Sequence, residues 1–128
     1  MKQITKNALQ LLKEQRFRQS DFCKKYNLDV SNFSTRSKNH NLSLKTVELI
    51  YQTFGEEFNL LEELKEVVQS YLDKRFCVKE TPRYLGVSYN RAKYFISHGK
   101  GSYKFLNDVY NHNAQCRAVI EPYLKKRA

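Results

Sequence analysis

The chain of 128 residues carries 23 Lys/Arg against 13 Asp/Glu, a formal charge of +10, with 41% apolar residues. That length allows one medium domain or two small ones sharing a core, and so high a charge points to a polyanionic partner. No apolar run approaches a membrane span, the N-terminus is unlike a signal peptide, and Cys23, Cys77 and Cys116 are too few and scattered for a disulfide framework, so a cytoplasmic protein with reduced thiols is expected.

The charge is partitioned along the chain. Residues 1–55 hold ten Lys/Arg against four Asp/Glu, residues 56–75 three against six, and residues 76–128 ten against three. Two basic lobes therefore flank an acidic segment, although an acidic segment is also what a solvated helix face looks like.

Helix is expected almost throughout, because Pro occurs twice, Gly four times, and no strand-like alternation persists. "ITKNALQLLKEQRF" predicts a helix over about 3–16, with Ile4, Ala8, Leu11, Leu12 and Gln15 to one side. "QSDFCKKY" predicts a short helix over 19–26 with Phe22, Cys23 and Tyr26 inward. "DVSNFSTRSK" predicts another over 30–38, capped by Asp29 or Ser31 and anchored by Phe33. Ser43 opens "SLKTVELIYQTFG", whose Leu44, Val47, Ile50, Tyr51 and Phe54 form an apolar stripe ended by Gly55.

"NLLEELKEVVQSYLDKRF" is the clearest helix, with Leu60, Leu61, Leu64, Val67, Val68, Tyr71 and Leu72 buried and Asn59 and Glu62 as a variant capping box. It is expected to connect the lobes. The last segment, about 103–127, carries Phe105, Leu106, Val109, Tyr110, Val119, Ile120, Tyr123 and Leu124, and Pro122 is expected to kink it or start a separate final turn.

Between these two lies "TPRYLGVSYNRAKYFI", a sharp corner between helical stretches. Leu85 points inward, Gly86 supplies the positive φ of the turn, Val87 plugs the core and Ser88 caps the next helix, whose inner face is Ala92, Phe95 and Ile96. The outward face is then Tyr89, Asn90, Lys93 and Ser97, with Arg91 and Tyr94 at the sides, all able to reach base edges or phosphates. The stretch resembles the helix-turn-helix of MerR-like and excisionase-like proteins. It departs from them at Pro82, where that pattern usually has alanine, and Thr81 is expected to cap a shortened helix.

A second corner lies in "FRQSDFCKKYNLDVSNFSTRSKNHNLSLKTVELIYQTFG". It resembles the helix-turn-helix of phage Cro and repressor (XRE-family) regulators over most of residues 3–55. Cys23 replaces the usual small alanine, Asn27 the turn glycine, and Leu28 is the plug. The resemblance implies that Gln19 contacts operator backbone, that Ser31, Asn32, Ser34 and Thr35 with Val30 and Lys38 form the reading face, and that Lys45 lies near a phosphate. Arg36 departs from an expected apolar position and is assigned to the DNA backbone.

Other constellations fall short of chemistry. His112 and Cys116 lie four apart, as two ligands on one helix would, but no second pair completes a metal site. "HGKGS" lacks P-loop spacing, so Lys100 and Lys104 are read as phosphate contacts. No catalytic grouping can be assembled, so neither enzymatic activity nor a cofactor or metal is expected.

The expectation is an all-α protein of two small helical lobes, 1–55 and 76–128, each with a helix-turn-helix, joined by a central amphipathic helix over 56–75. The function expected is sequence-specific binding of double-stranded DNA, as a transcriptional repressor from a phage or other mobile element. The alternatives are an excisionase-like or architectural DNA-binding factor, or a basic protein-binding inhibitor of a nucleic-acid-handling partner. The apolar residues of the C-terminal segment suggest a homodimer through that helix.

Overall fold

A computed structural model of the protein describes residues 1–74, 78–99 and 101–127. The described residues form helices α1 (Lys2–Glu14), α2 (Gln19–Tyr26), α3 (Val30–Lys38), α4 (Leu44–Thr53), α5 (Leu60–Asp73), α6 (Thr81–Leu85), α7 (Tyr89–His98), α8 (Tyr103–His112) and α9 (Ala114–Leu124), with a 3₁₀ turn over Val78–Glu80 and no strand among them. None of these helices is long and apolar enough to cross a membrane. The chain divides into two compact units, one of Met1–Phe58 with Leu124–Ala128, the other of Asn59–Tyr123.

In the first unit α1 packs on α4 and α2 on α3. Ile4, Ala8, Leu11 and Leu12 of α1 meet Phe22, Cys23, Phe33, Leu42, Leu44, Val47 and Ile50 in one buried core. Gln15 is exposed, because it is the C-cap of α1 and no longer follows the helical stripe. The Phe22 and Phe33 rings, 5.5 Å apart, tie α2 to α3. Tyr26 is only half-buried, and its hydroxyl lies 2.7 Å from Thr53 Oγ1 at the end of α4.

Four successive helices of this unit end the same way. A residue in left-handed backbone follows each helix: Arg16 (φ 52°), Asn27 (φ 54°), His40 (φ 50°) and Gly55 (φ 68°). The next amide then reaches back five residues: Phe17 to Leu12 O, Leu28 to Cys23 O, Asn41 to Arg36 O and Glu56 to Tyr51 O, at 2.8 to 3.0 Å. These are Schellman caps, which satisfy the last carbonyls and turn the chain sharply. Side-chain caps start α3 and α4, where Asp29 accepts from Asn32 N and Ser43 from Thr46 N.

The chain returns to this unit at its C-terminal end. The side chain of Asn7, buried on α1, donates to Lys125 O at 2.8 Å and accepts from Arg127 N at 3.0 Å and from Gln3 Nε2 at 2.8 Å. The Arg127 guanidinium pairs with both oxygens of Glu56 and with Glu14. Those bonds hold its pKa above the usual value for arginine. Nothing local in "LKKRA" signals this docking.

The second unit contains α5, so the expected connector is part of a core. Leu60, Leu61, Leu64 and Val68 are buried, α5 packs on α7, and Val67, Tyr71 and Leu72 are half-buried. Asn59 makes no side-chain cap; its amide instead donates to Tyr123 Oη at 3.3 Å. Phe95 and Phe105 stack at 4.6 Å and join α7 to α8.

The expected single segment over 103–127 is two helices. It breaks at Asn113, whose backbone is extended, and not at Pro122, which lies inside α9. Asn113 is buried, accepts from Cys116 N at 3.0 Å as the cap of α9, and donates to Tyr84 O at 3.2 Å. A buried asparagine with both ends engaged gains more here than it would in a continuous helix.

Candidate nucleic-acid interface

The redrawn division moves charge. Lys125, Lys126 and Arg127 join the first unit and the acidic α5 joins the second, so the first has thirteen Lys/Arg against six Asp/Glu, a net of +7. The second has ten against seven, a net of +3. The expected picture of two basic lobes around an acidic connector is replaced by one strongly and one weakly basic unit.

At the corner of the first unit, Asn27 holds the left-handed turn, Leu28 is half-buried, and Cys23 beneath them is fully buried. Burial, with the nearby Asp29 charge adding to it, raises the pKa of the Cys23 thiol. Phe33 and Ser37 turn α3 inward; Ser31, Asn32, Thr35, Arg36 and Lys38 are exposed and Ser34 is half-buried. Val30, in the first turn, is 50% exposed, and an exposed apolar group suits a thymine methyl. The Thr35 hydroxyl donates to Ser31 O at 3.0 Å, which leaves its lone pairs and methyl to the outside. Gln19 begins α2 and is exposed; Lys45, in the first turn of α4, is exposed with Glu48 at 3.8 Å. Asp29, Asn32, Arg36, Ser43 and Thr46 border a hollow of about 210 Å³ between α3 and the start of α4.

The second corner has the expected parts. Leu85 and Val87 are buried, Gly86 has φ 80°, and Ser88 caps α7 by accepting from Arg91 N. Gly86 is required for space as well as conformation: a Cβ there would lie 2.7 Å from Asp108 O and 2.5 Å from His112 Nδ1. Thr81, expected as a cap, is instead the buried first residue of α6, and Glu80 precedes it without a side-chain cap bond. Pro82 sits in the first turn, and α6 is only five residues long.

On α7, Ala92 and Phe95 are buried and Ile96 half-buried. Asn90, Lys93, Tyr94 and Ser97 are exposed, and Tyr89 is half-buried with Lys93 Nζ 5.4 Å from its ring. Arg91 is partly committed, because its Nη1 bonds Asp108 Oδ2 at 3.0 Å. Lys104 is exposed at the start of α8, and Lys100 lies outside the described residues.

No family model matches this chain, and no curated protein and no solved structure matches it either.

One expectation changes with the geometry. His112 and Cys116 do not share a helix: the break at Asn113 leaves His112 exposed at the end of α8, its Nδ1 2.8 Å from Asp108 O, and Cys116 buried in α9. Among the described residues no group of three His, Cys, Asp or Glu side chains is placed to hold a metal. Of the C-terminal apolar residues, Val109 and Ile120 are fully buried, while Tyr110, Val119, Tyr123 and Leu124 are half-buried and keep part of their surface outside. Among the described residues the large exposed apolar side chains are Val30, Val78, Tyr84 and Tyr94.

Proposed function

We propose that the protein binds double-stranded DNA in a sequence-dependent way and acts as a repressor, with α3 as its reading helix. The observation that carries this reading is the outward face of α3. It presents Ser31, Asn32, Thr35, Arg36 and Lys38 beside an exposed Val30, in a unit with a net charge of +7. Amides and hydroxyls of this kind discriminate base edges, while Arg and Lys anchor to phosphate. Gln19 and Lys45, at the N-termini of α2 and α4, supply flanking backbone contacts where helix ends favour anions.

The second unit adds a weaker contact through Asn90, Lys93 and Ser97 of α7, its guanidinium Arg91 being shared with Asp108. Because the corners differ in sequence, a single chain reads an asymmetric site, whereas a homodimer through the half-buried apolar residues of α8 and α9 reads a palindromic one. Repression follows by occupancy of the bound site. Selection of duplexes from a random pool tests this reading: a recovered common motif supports it, and an unselected pool opposes it.

A further inference from the structure

Between α7 and the first turn of α8 the second unit holds an open groove of about 380 Å³, within the range of ligand sites. Its lining is Asn90, Arg91, Tyr94, Phe95, Ser102 and Phe105. Two features set it apart from a plain dent between helices. First, Tyr94 is 56% exposed although it borders an apolar groove, and its ring is stacked on His98 at 4.0 Å. Second, the rim is polar and cationic. Arg91 spends one Nη on Asp108 and its side chain stays 41% exposed, Asn90 is exposed, and Lys93 and Lys104 are exposed nearby in sequence on α7 and α8.

We infer that this groove takes an unpaired nucleobase of a single-stranded nucleic acid. A flat polar ring lies against the exposed Tyr94 ring at the groove, its edge meets the Asn90 amide, and its phosphate meets Arg91. Every base has a face that stacks on tyrosine, so this contact tolerates sequence. A base inside a duplex cannot enter such a groove without leaving its stack, so the ligand is distinct from the duplex assigned to α3. The inference draws on the second unit alone, shares Asn90 with the weaker duplex contact proposed for α7, and goes beyond that contact through Tyr94 and Arg91.

The test is fluorescence anisotropy of the full chain with labelled single strands of deoxythymidine and of uridine, DNA and RNA carrying the same chemistry. Tyr94→Ala, at an exposed position that leaves the core untouched, is expected to weaken both by about 10- to 100-fold, while Tyr94→Phe retains most of the affinity. Free thymidine monophosphate should compete only at far higher concentration than a strand. Absence of single-strand binding, equal binding by Tyr94→Ala, or mononucleotide binding as tight as that of the strand overturns the inference. Duplex affinity measured on the same proteins separates the two readings: single-strand binding lost in Tyr94→Ala stands whether or not a duplex is read, and a selected duplex motif stands without it.

Discussion

Asn27 and Gly86 occupy the same left-handed place at two helix corners, φ 54° and 80°, but Gly86 has Asp108 O 2.7 Å from where a Cβ would sit. The two positions therefore respond in opposite directions. Gly86→Ala adds left-handed strain to a backbone collision and should cost about 3 kcal/mol or more. Asn27→Gly relieves strain at a Schellman cap and should gain about 0.5 kcal/mol, and Arg16→Gly slightly more. Urea denaturation followed by circular dichroism measures all three.

Ser37 faces the core of the first unit from α3, and its buried hydroxyl finds no hydrogen-bond partner among the described residues. A buried unpaired hydroxyl is costly, so Ser37→Ala should raise stability by about 1 kcal/mol. Since Ser37 points away from the exposed face of α3 proposed to read DNA, affinity for a duplex should not move.

Burial pushes the Cys116 thiol up to about 12 from its ordinary 9.0. The unfolded thiol ionises first, so its contribution to stability is complete below pH 9.0 and is lost as pH rises towards about 12. Denaturation midpoints taken across that alkaline range should fall faster for the native protein than for Cys116→Ala. Parallel curves would place Cys116 in contact with water.

Much of this was legible in the chain. The stripes of α1, α4 and α5 and the corners at Asn27 and Gly86 follow from apolar spacing and from residues that accept positive φ. Other features depend on distant partners. Asn113 breaks the C-terminal segment because Tyr84 O and Cys116 N satisfy its side chain, and no local pattern announces that. The return of Arg127 to Glu14 and Glu56 is equally non-local, and it reassigned three charges between the units. The exposed face of α3 was legible because exposure there follows the same period that buries Phe33 and Ser37. Partial loss of Arg91 to Asp108 was not, since their spacing of seventeen residues crosses a loop.

Anchoring and reading separate by their salt dependence. On the proposed reading, Lys38→Ala removes one phosphate contact and should weaken all duplexes alike, lowering the log–log salt slope by about one. Asn32→Ala and Thr35→Ala should instead relax preference at particular base pairs, each worth about 1–3 kcal/mol of discrimination, with the slope unchanged. Asn90→Ala should have a smaller effect, as the second unit carries a net charge of only +3.

The most direct measurement is the ratio of affinities for a duplex selected from a random pool and for the same duplex scrambled, at one physiological salt concentration. Sequence-specific reading by α3 predicts a ratio of about 10³ or more for the native protein, collapsing in the Asn32→Ala, Thr35→Ala double variant. A ratio near one for the native protein, with steep salt dependence on both duplexes, would contradict it and leave only a basic protein that binds polyanions without reading them.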